Sequence, residues 1–460
     1  MLARTESTSP VAPAQQRADL GANGLASVLV DVLVIGGGPG GSTAATLLAQ
    51  RGRRVLLIEK DRHPRFHIGE SLLPLNLPLF DQLGCSQAIA GVGLAKRAMQ
   101  FHSMEHQASQ MFSFSEAWDG TPTHAYHVRR SEFDHALLQH AGQCGVEVIE
   151  ACRARNFRVE PDRVVVEAQH DDGRTVDISA RYLVDASGRD TFVASQLGIK
   201  RRNPKHTSAA LYGHFRGARR NSGDAEGNIE IFWFAHGWMW FIPLMDGTTS
   251  VGAVCWPYYL KTRDTEPSAF FLQTLQSCPA MWERVKDATL IEPATATGNY
   301  SYSADRMAGE RYVMVGDAFA FVDPVFSSGV YLAMNSALFA ADVVDGALND
   351  PAAAPRLSRA FERRVRRGLQ TFTWMIYRMT SPVMRNLIMQ PRDNFGIKRA
   401  VITFLAGDVY FSGPVRRRML AFRAIYYFSA MLDWRRAVRA VFNRRNAVRP
   451  QTIYATDGSG

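Results

Sequence analysis

Six residues, Gly36-Gly37-Gly38-Pro39-Gly40-Gly41, follow the short run Asp31 to Ile35 and precede the Ala- and Leu-rich stretch Ser42 to Gln50. They satisfy the G-x-G-x-x-G spacing, which sets a phosphate on a helix N-terminus where unpaired N–H groups and the positive dipole end meet the anion. Gly36 permits the tight turn, Gly38 lets the backbone approach a pyrophosphate, and Gly41 lets helix and strand pack closely. Pro39 and Gly40 complete the loop. Glu59 lies 18 residues past Gly41 at the end of the apolar run Val55 to Ile58, with Lys60 beside it. A carboxylate there accepts hydrogen bonds from an adenosine ribose. The fingerprint suits NAD and FAD alike. Two further groupings carry chemistry. Trp238 and Trp240 are two apart on a candidate strand, so both indoles face one side as a wall or simply fill a β core. Ser327-Ser328-Gly329 enters a helical stretch near Val330 to Ala340, where a nest of N–H groups holds an anion, unless the turn only caps the helix.

The elements needed to position these residues are legible in outline. Strand, glycine turn, helix and strand make a βαβ unit and imply a parallel sheet. A helical stretch after Ser71 runs to about Leu83, with Gly84 as its C-cap. Ala98 to Ala168 and Ala209 to Val254 alternate short β-rich runs with turn residues, which suits an inserted antiparallel sheet. From Phe361 the pattern becomes helical, aromatic and arginine-rich. The expected fold class is α/β: a Rossmann-like nucleotide-binding domain with an inserted antiparallel β-sheet and a helical C-terminal region. The expected organisation is a disordered leader over 1–28, the nucleotide fold with its interleaved sheet over 29–350, a basic helical region over 351–450 and a flexible tail over 451–460.

Composition narrows the class. With 460 residues and 46% hydrophobic content the chain can bury a large core, which excludes disorder as its general state. It contains no uncharged apolar run of 18 residues and no secretory signal pattern, so the expected location is cytoplasmic and no transmembrane segment is expected. The five cysteines form no C-x-x-C pair, so they are expected to be reduced and no metal site is expected. Phe361 to Pro450 holds 19 Arg or Lys against 4 Asp or Glu, a net +15 against +10 for the whole chain. That region is either a set of solvated helix faces or a dock for an acidic partner. No nucleic-acid-binding motif accompanies it.

Tyr312 to Ala318 reads as a second strand ending in Gly316-Asp317. It resembles the Gly-Asp motif of FAD proteins, whose carboxylate holds the ribityl chain, and Val184-Asp185-Ala186-Ser187-Gly188 resembles the strand closing the FAD domain of flavoprotein monooxygenases. Over roughly residues 30 to 420 the chain resembles the flavin-dependent halogenases, in their phenol and pyrrole branch. Trp238-Met239-Trp240-Phe241-Ile242-Pro243 matches the family pattern W-x-W-x-I-P, and Phe321 to Gly329 matches F-x-x-P-x-x-S-x-G.

The resemblance implies a reaction and its parts. Reduced FAD (FADH2) reacts with oxygen to a C4a-hydroperoxide, chloride or bromide attacks it, and the hypohalous acid reaches a lysine beside the substrate. A lysine suits that task because desolvation readily lowers its pKa. The matching residue is Lys96, 55 residues past Gly41, although Ala98 and Met99 depart from the usual K-x-G-A-x-F. The halide is expected at Ser328 and Gly329. Trp238, Trp240, Ile242, Pro243 and Phe326 are expected to wall the flavin and substrate. The loop containing Gly69, Glu70 and Ser71 resembles the mobile strap over the flavin, and Arg130, rather than Arg129, the arginine that approaches the FAD phosphates.

Phe326 occupies the position where tryptophan halogenases carry a glutamate. A ring that stabilises its own positive charge dispenses with that carboxylate, so a phenol or pyrrole is expected, either free or tethered to an acidic carrier protein. A separate flavin reductase is expected to supply FADH2. The alternatives are an FAD-dependent aromatic hydroxylase, an isoprenoid reductase and a non-catalytic flavoprotein.

Overall fold

The computed structural model describes residues 29–203, 208–298, 301–411 and 413–432. The expected leader and tail, and the basic region beyond Leu432, lie outside the described residues. Within Leu29–Ile35, Val32, Leu33 and Val34 have no exposed surface. A strand buried on both faces belongs in a parallel sheet covered by helices. Five parallel strands lie in the order Tyr312–Met314, Thr175–Asp185, Leu29–Ile35, Val55–Ile58 and Glu147–Ile149. Because they run the same way, Gly36, Glu59, Ala186 and Gly316 all emerge at one edge. That edge, beyond the carboxyl ends of the strands, is where open α/β sheets bind ligands. Helices Pro39–Gln50 and Gly329–Asn349 pack together behind it.

The second sheet runs Ala209–Arg216, Thr248–Cys255, Gly237–Pro243, Ile229–Phe234, Ala98–Ser103 and Ala108–Ser113. Its pairings are antiparallel except that Ile229–Phe234 and Ala98–Ser103 are parallel. Only part of Ala98 to Ala168 joins it, which corrects the expectation for that span. Arg130–Gln143 is a helix, and the hairpin Cys152–Val159 with Val164–His170 extends the first sheet through Thr175–Asp185. Glu147–Ile149 has already returned the chain to that first sheet, so the hairpin continues from there.

Every residue of Gly237–Pro243 is buried, and period-2 alternation explains why. Trp238, Trp240 and Ile242 face the nucleotide side. Met239 and Phe241 face a separate core with Phe271, Leu275 and Met281 from the helices Pro267–Gln276 and Pro279–Val285.

The expected helix after Ser71 begins later, as a 3₁₀ turn at Pro74–Asn76 followed by Leu77–Leu83. Ser71 instead bridges to His127 of the strand Ala125–Val128, which itself pairs with Gly93–Lys96. Gly84 ends the helix in the left-handed region at φ +83°, as its sequence position requires. The C-terminal region is helical at Ala354–Ile376, Pro382–Met389, Ile397–Leu405 and Gly413–Leu432. Among the described residues no helix is long and apolar enough to cross a membrane, and no cluster of potential ligands gathers for a metal. All five cysteines are unpaired.

Candidate active site

A cavity of about 790 Å³ opens along the shared strand edge, within the size range of cofactor sites. Gly36 has φ +104°, and a Cβ there would overlap the Ala186 carbonyl. A Cβ on Gly41 would overlap the Gly36 carbonyl, so Gly41 supports the loop from behind. Gly36, Gly38, Pro39 and Gly40 line the cavity, and Pro39 starts a helix with no acidic side chain in its first turn. The first-turn N–H groups, which have no intrahelical partner, therefore lie at the cavity's edge without a side-chain carboxylate to compete for them. Glu59 accepts from the Gly37 N–H at 2.6 Å and the Asp61 N–H at 3.0 Å, which fixes its carboxylate against the loop. Lys60 also lines the cavity, paired with Asp190 at 2.6 Å.

Gly316 and Asp317 close the opposite side. Gly316 has φ +55°, and a Cβ there would press on Ala333 of the long helix. Burial pushes the Asp317 carboxyl up to about 6, and the nearby Arg130 and Arg189 pull against that rise. Arg130 lines the cavity, whereas Arg129 pairs with Asp246 away from it. Arg130 is held by Asp134 through two hydrogen bonds of 2.7 and 2.9 Å, and it donates to the Ile68 carbonyl at 2.8 Å. Its charge lowers the neighbouring His67 to about 4, with burial acting the same way. Glycines that only a bare backbone can occupy, a fixed carboxylate and a cationic rim together fit an extended dinucleotide such as FAD.

The strap is tied down. The Glu70 carbonyl accepts from the Val128 N–H at 2.8 Å, and the Leu72 N–H donates to the Tyr126 carbonyl at 2.9 Å. Glu70 is buried, with His214 Nε2 at 2.9 Å from its Oε1. Gly69, Glu70 and Ser71 all line the cavity.

Trp238 and Trp240 stand side by side on its wall, ring centroids 5.9 Å apart, with Ile242 continuing the face. Trp240 donates to Ser250 Oγ at 3.2 Å, and its indole lies over Gly252, where a Cβ would overlap the ring. Pro243 closes the strand without reaching the cavity.

At two positions the structure differs from the sequence-based expectation. Ser327, not Ser328, faces the cavity, because Ser327 takes a left-handed φ of +56° and reverses the chain there. Ser328 is buried behind it, while Gly329 lines the cavity. Phe326 turns away altogether and packs edge-on against Phe404, ring centroids 5.8 Å apart. It belongs to the helical core.

Lys96 is fully buried and does not line the cavity. Its Nζ donates to Ser71 Oγ at 3.0 Å and to the Leu72 carbonyl at 2.7 Å, and lies 5.5 Å from the centre of the Phe114 ring. No salt bridge reaches it among the described residues, so burial alone lowers it to about 7. Ser71 thus faces the cavity on one side and the lysine on the other.

Sequence reasoning passed over Arg65, Arg153, Arg155, Arg189, Asp190 and Tyr212, which also line the cavity. Only Arg189 and Asp190 carried a signal, since they directly follow the Val184 to Gly188 segment. Arg65 lies in the loop after Glu59, and Arg153, Arg155 and Tyr212 arrive by long-range strand pairing.

Comparison with known proteins agrees with this geometry. A family described as an FAD binding domain matches residues 29–374. The chain is 29% identical over 408 residues to a 1H-pyrrole-2-carbonyl-[peptidyl-carrier protein] chlorinase of Pseudomonas fluorescens, covering 83% of this chain and 89% of the relative. It is 36% identical over 322 residues to a tryptophan 2-halogenase of Chondromyces crocatus, covering 67% of this chain and 60% of the relative. The solved structure of the myxobacterial chondrochloren halogenase CndH superposes with a TM-score of 0.73 at 31% identity, covering 91% of this chain and 96% of that one. With an FAD cradle, an indole wall and a buried lysine in one fold, and with relatives of this kind over most of its length, the chain belongs to the flavin-dependent halogenases, enzymes of the oxidoreductase kind.

Proposed function

We propose that this halogenase chlorinates or brominates an electron-rich phenol or pyrrole ring, with Lys96 delivering the halogen. The observation that carries the reading is a fully buried lysine one hydroxyl away from the cofactor cavity and lowered to about 7. Reduced FAD, with oxygen and halide, supplies hypohalous acid. Gly36 to Gly41, Glu59, Lys60, Arg130, Gly316 and Asp317 would hold the cofactor. The first turn of Gly329–Asn349 leaves N–H groups without intrahelical partners, and Gly329 and Val330 line the cavity, so the halide would rest there. Trp238 and Trp240 keep the organic substrate off the flavin side. Lys96, near its midpoint at neutral pH, presents an amine as readily as a hydrogen-bond donor.

The phenol or pyrrole is supported by the sequence position of Phe326, where the tryptophan halogenases carry a glutamate, and not by any contact of its ring with the cavity. No carboxylate stands at that position, and the residue there is committed to the core. The basic helices Ala354–Ile376 and Gly413–Leu432 support an acidic carrier protein as the vehicle, docked through rim ion pairs. A separate reductase would supply FADH2.

The test supplies a flavin reductase, NADH, oxygen and bromide with phenols, pyrrole-2-carboxylate and indoles, each free and as a carrier thioester, at low and high salt. Brominated phenol or pyrrole by mass, with the carrier form faster and salt-sensitive, is the expected result. Bromination of indoles alone would overturn the ring assignment, and equal rates on free and tethered acids would remove the carrier.

A further inference from the structure

We propose that the outer face of the C-terminal helix Gly413–Leu432 lies on an anionic lipid surface, with its apolar side chains in the acyl boundary and its arginines among the headgroups. Neither the ring assignment nor the role of Lys96 enters.

The inner face of this helix belongs to the core. Val415, Met419 and Phe422 are buried, and the helix packs on Pro382–Met389 and Ile397–Leu405. At about 100° per residue those three positions form one stripe, and the opposite stripe of an ordinary surface helix is polar. Here Leu420, Ala424, Phe428 and Leu432 recur every four residues and form an apolar ridge instead, with Met431 beside it. Leu420 is 55% exposed, Phe428 58%, Met431 64% and Leu432 70%. From Leu420 to Leu432 the ridge runs about 18 Å, at 1.5 Å per residue.

Charge decides what covers that ridge. The helix holds Arg416, Arg417, Arg418 and Arg423 and no acidic residue, and Arg416 heads the ridge itself. Elsewhere in the C-terminal region basic side chains find carboxylates: Arg366 pairs with Glu362, Lys398 with Glu116 and Arg399 with Asp119. Arg416 and Arg417 are exposed, and among the described residues no carboxylate pairs with either of them or with Arg423. The sequence from 433 to 450 adds six arginines against one aspartate. A second copy of this helix would set these cations against their own kind, which opposes self-pairing. An anionic lipid surface meets both features: a single convex apolar row enters the interface, while arginine stems follow it and their charges reach the headgroups. No helix here is apolar enough to cross a membrane, so this one would lie along the surface.

Phe395 adds a second anchor beside the helix. It is 90% exposed in a left-handed conformation at φ +57°, which bulky residues rarely adopt. Its carbonyl accepts from Arg418 Nε at 2.7 Å, so the helix itself holds the loop in that form. In water the ring is left facing solvent, whereas in an acyl boundary it is buried.

Sedimentation of the FAD-loaded full chain with lipid vesicles tests this. Vesicles of phosphatidylcholine with phosphatidylserine should carry the protein down, whereas vesicles of phosphatidylcholine alone should not, and high salt should release it. Phe428→Ser combined with Met431→Ser should weaken binding by more than about tenfold, as for two lost apolar side chains. Arg416→Gln and Arg417→Gln should each weaken it about fivefold, the worth of one charge near the surface. FAD content and Tm should match wild type in all of these, since the altered side chains are exposed. Equal binding to both kinds of vesicle, binding to neither, or undiminished binding by the doubly substituted variant would each overturn the proposal; the last would mean that the charge after Leu432 acts alone. Two other results would overturn it by giving the face to another occupant, in each case without vesicle binding: dimerisation, or saturable capture of an acidic carrier protein, abolished by the same double substitution.

Discussion

The cofactor cavity and the Lys96 chamber lie on either side of one serine, and they are built on opposite principles. The cavity is roomy, lined by bare backbone and ringed with arginines, and its charges sit beside carboxylates. The chamber has no room, one amine, one imidazole and no carboxylate within salt-bridge reach among the described residues. Paired charge in the first stays charged. Unpaired charge in the second is pushed toward neutrality by burial. In the proposed function the first region would hold the cofactor's phosphates and the second would ready the amine, and the Ser71 hydroxyl lies between them.

The largest effect that bears on this contrast is at the amine. Lys96→Met should cut halogenation by about 10³-fold while leaving FAD affinity unchanged, measured by product mass and flavin titration. The same variant should be more stable. Lys96 has a lowered folded value, near 7 against an ordinary 10.5, so below pH 7 the native state must bury an ammonium. Between about 7 and 10.5 the unfolded chain binds more protons than the native one, so wild-type stability rises with pH across that window. The gain in Tm for Lys96→Met should accordingly be greatest at pH 6 to 7 and shrink toward pH 10; a gain that grows with pH would contradict the burial argument.

Gly36→Val attacks the other side of the contrast. Its Cβ overlaps the Ala186 carbonyl, so FAD binding should fall by at least tenfold, with Lys96 acetylation in the FAD-free protein unchanged. Ser71→Ala removes the shared hydroxyl. It should lower turnover about tenfold, as for one lost hydrogen bond, without weakening FAD. The smallest effect is expected from Arg129→Ala, since that guanidinium pairs with Asp246 near the surface; stability should change by less than about 1 kcal/mol.

Most of the cavity was legible in the sequence because its chemistry is local. Gly36 to Gly41, Glu59 and Gly316-Asp317 each sit where a strand ends, and a parallel sheet brings such ends together without further information. What depends on a single dihedral was not legible. Ser327 and Ser328 are alike as letters, and only the left-handed φ of Ser327 decides which faces the cavity. Phe326 follows from that same reversal. His127 was invisible for another reason: its place beside Lys96 is fixed by strand register across about 30 residues, and a lone histidine carries no signal of its neighbours. Lys96 was singled out by motif alignment despite the unusual Ala98 and Met99, but its full burial, which depends on packing from distant segments, was not legible there.

Gly252 gives the indole wall a property of its own. With the Trp240 ring lying over it and anchored to Ser250, the wall is seated on a residue that has no side chain to yield. The wall can therefore be moved from behind: a single methyl at residue 252 meets the Trp240 ring itself, so it would displace the indole while leaving the glycine loop and Lys96 untouched.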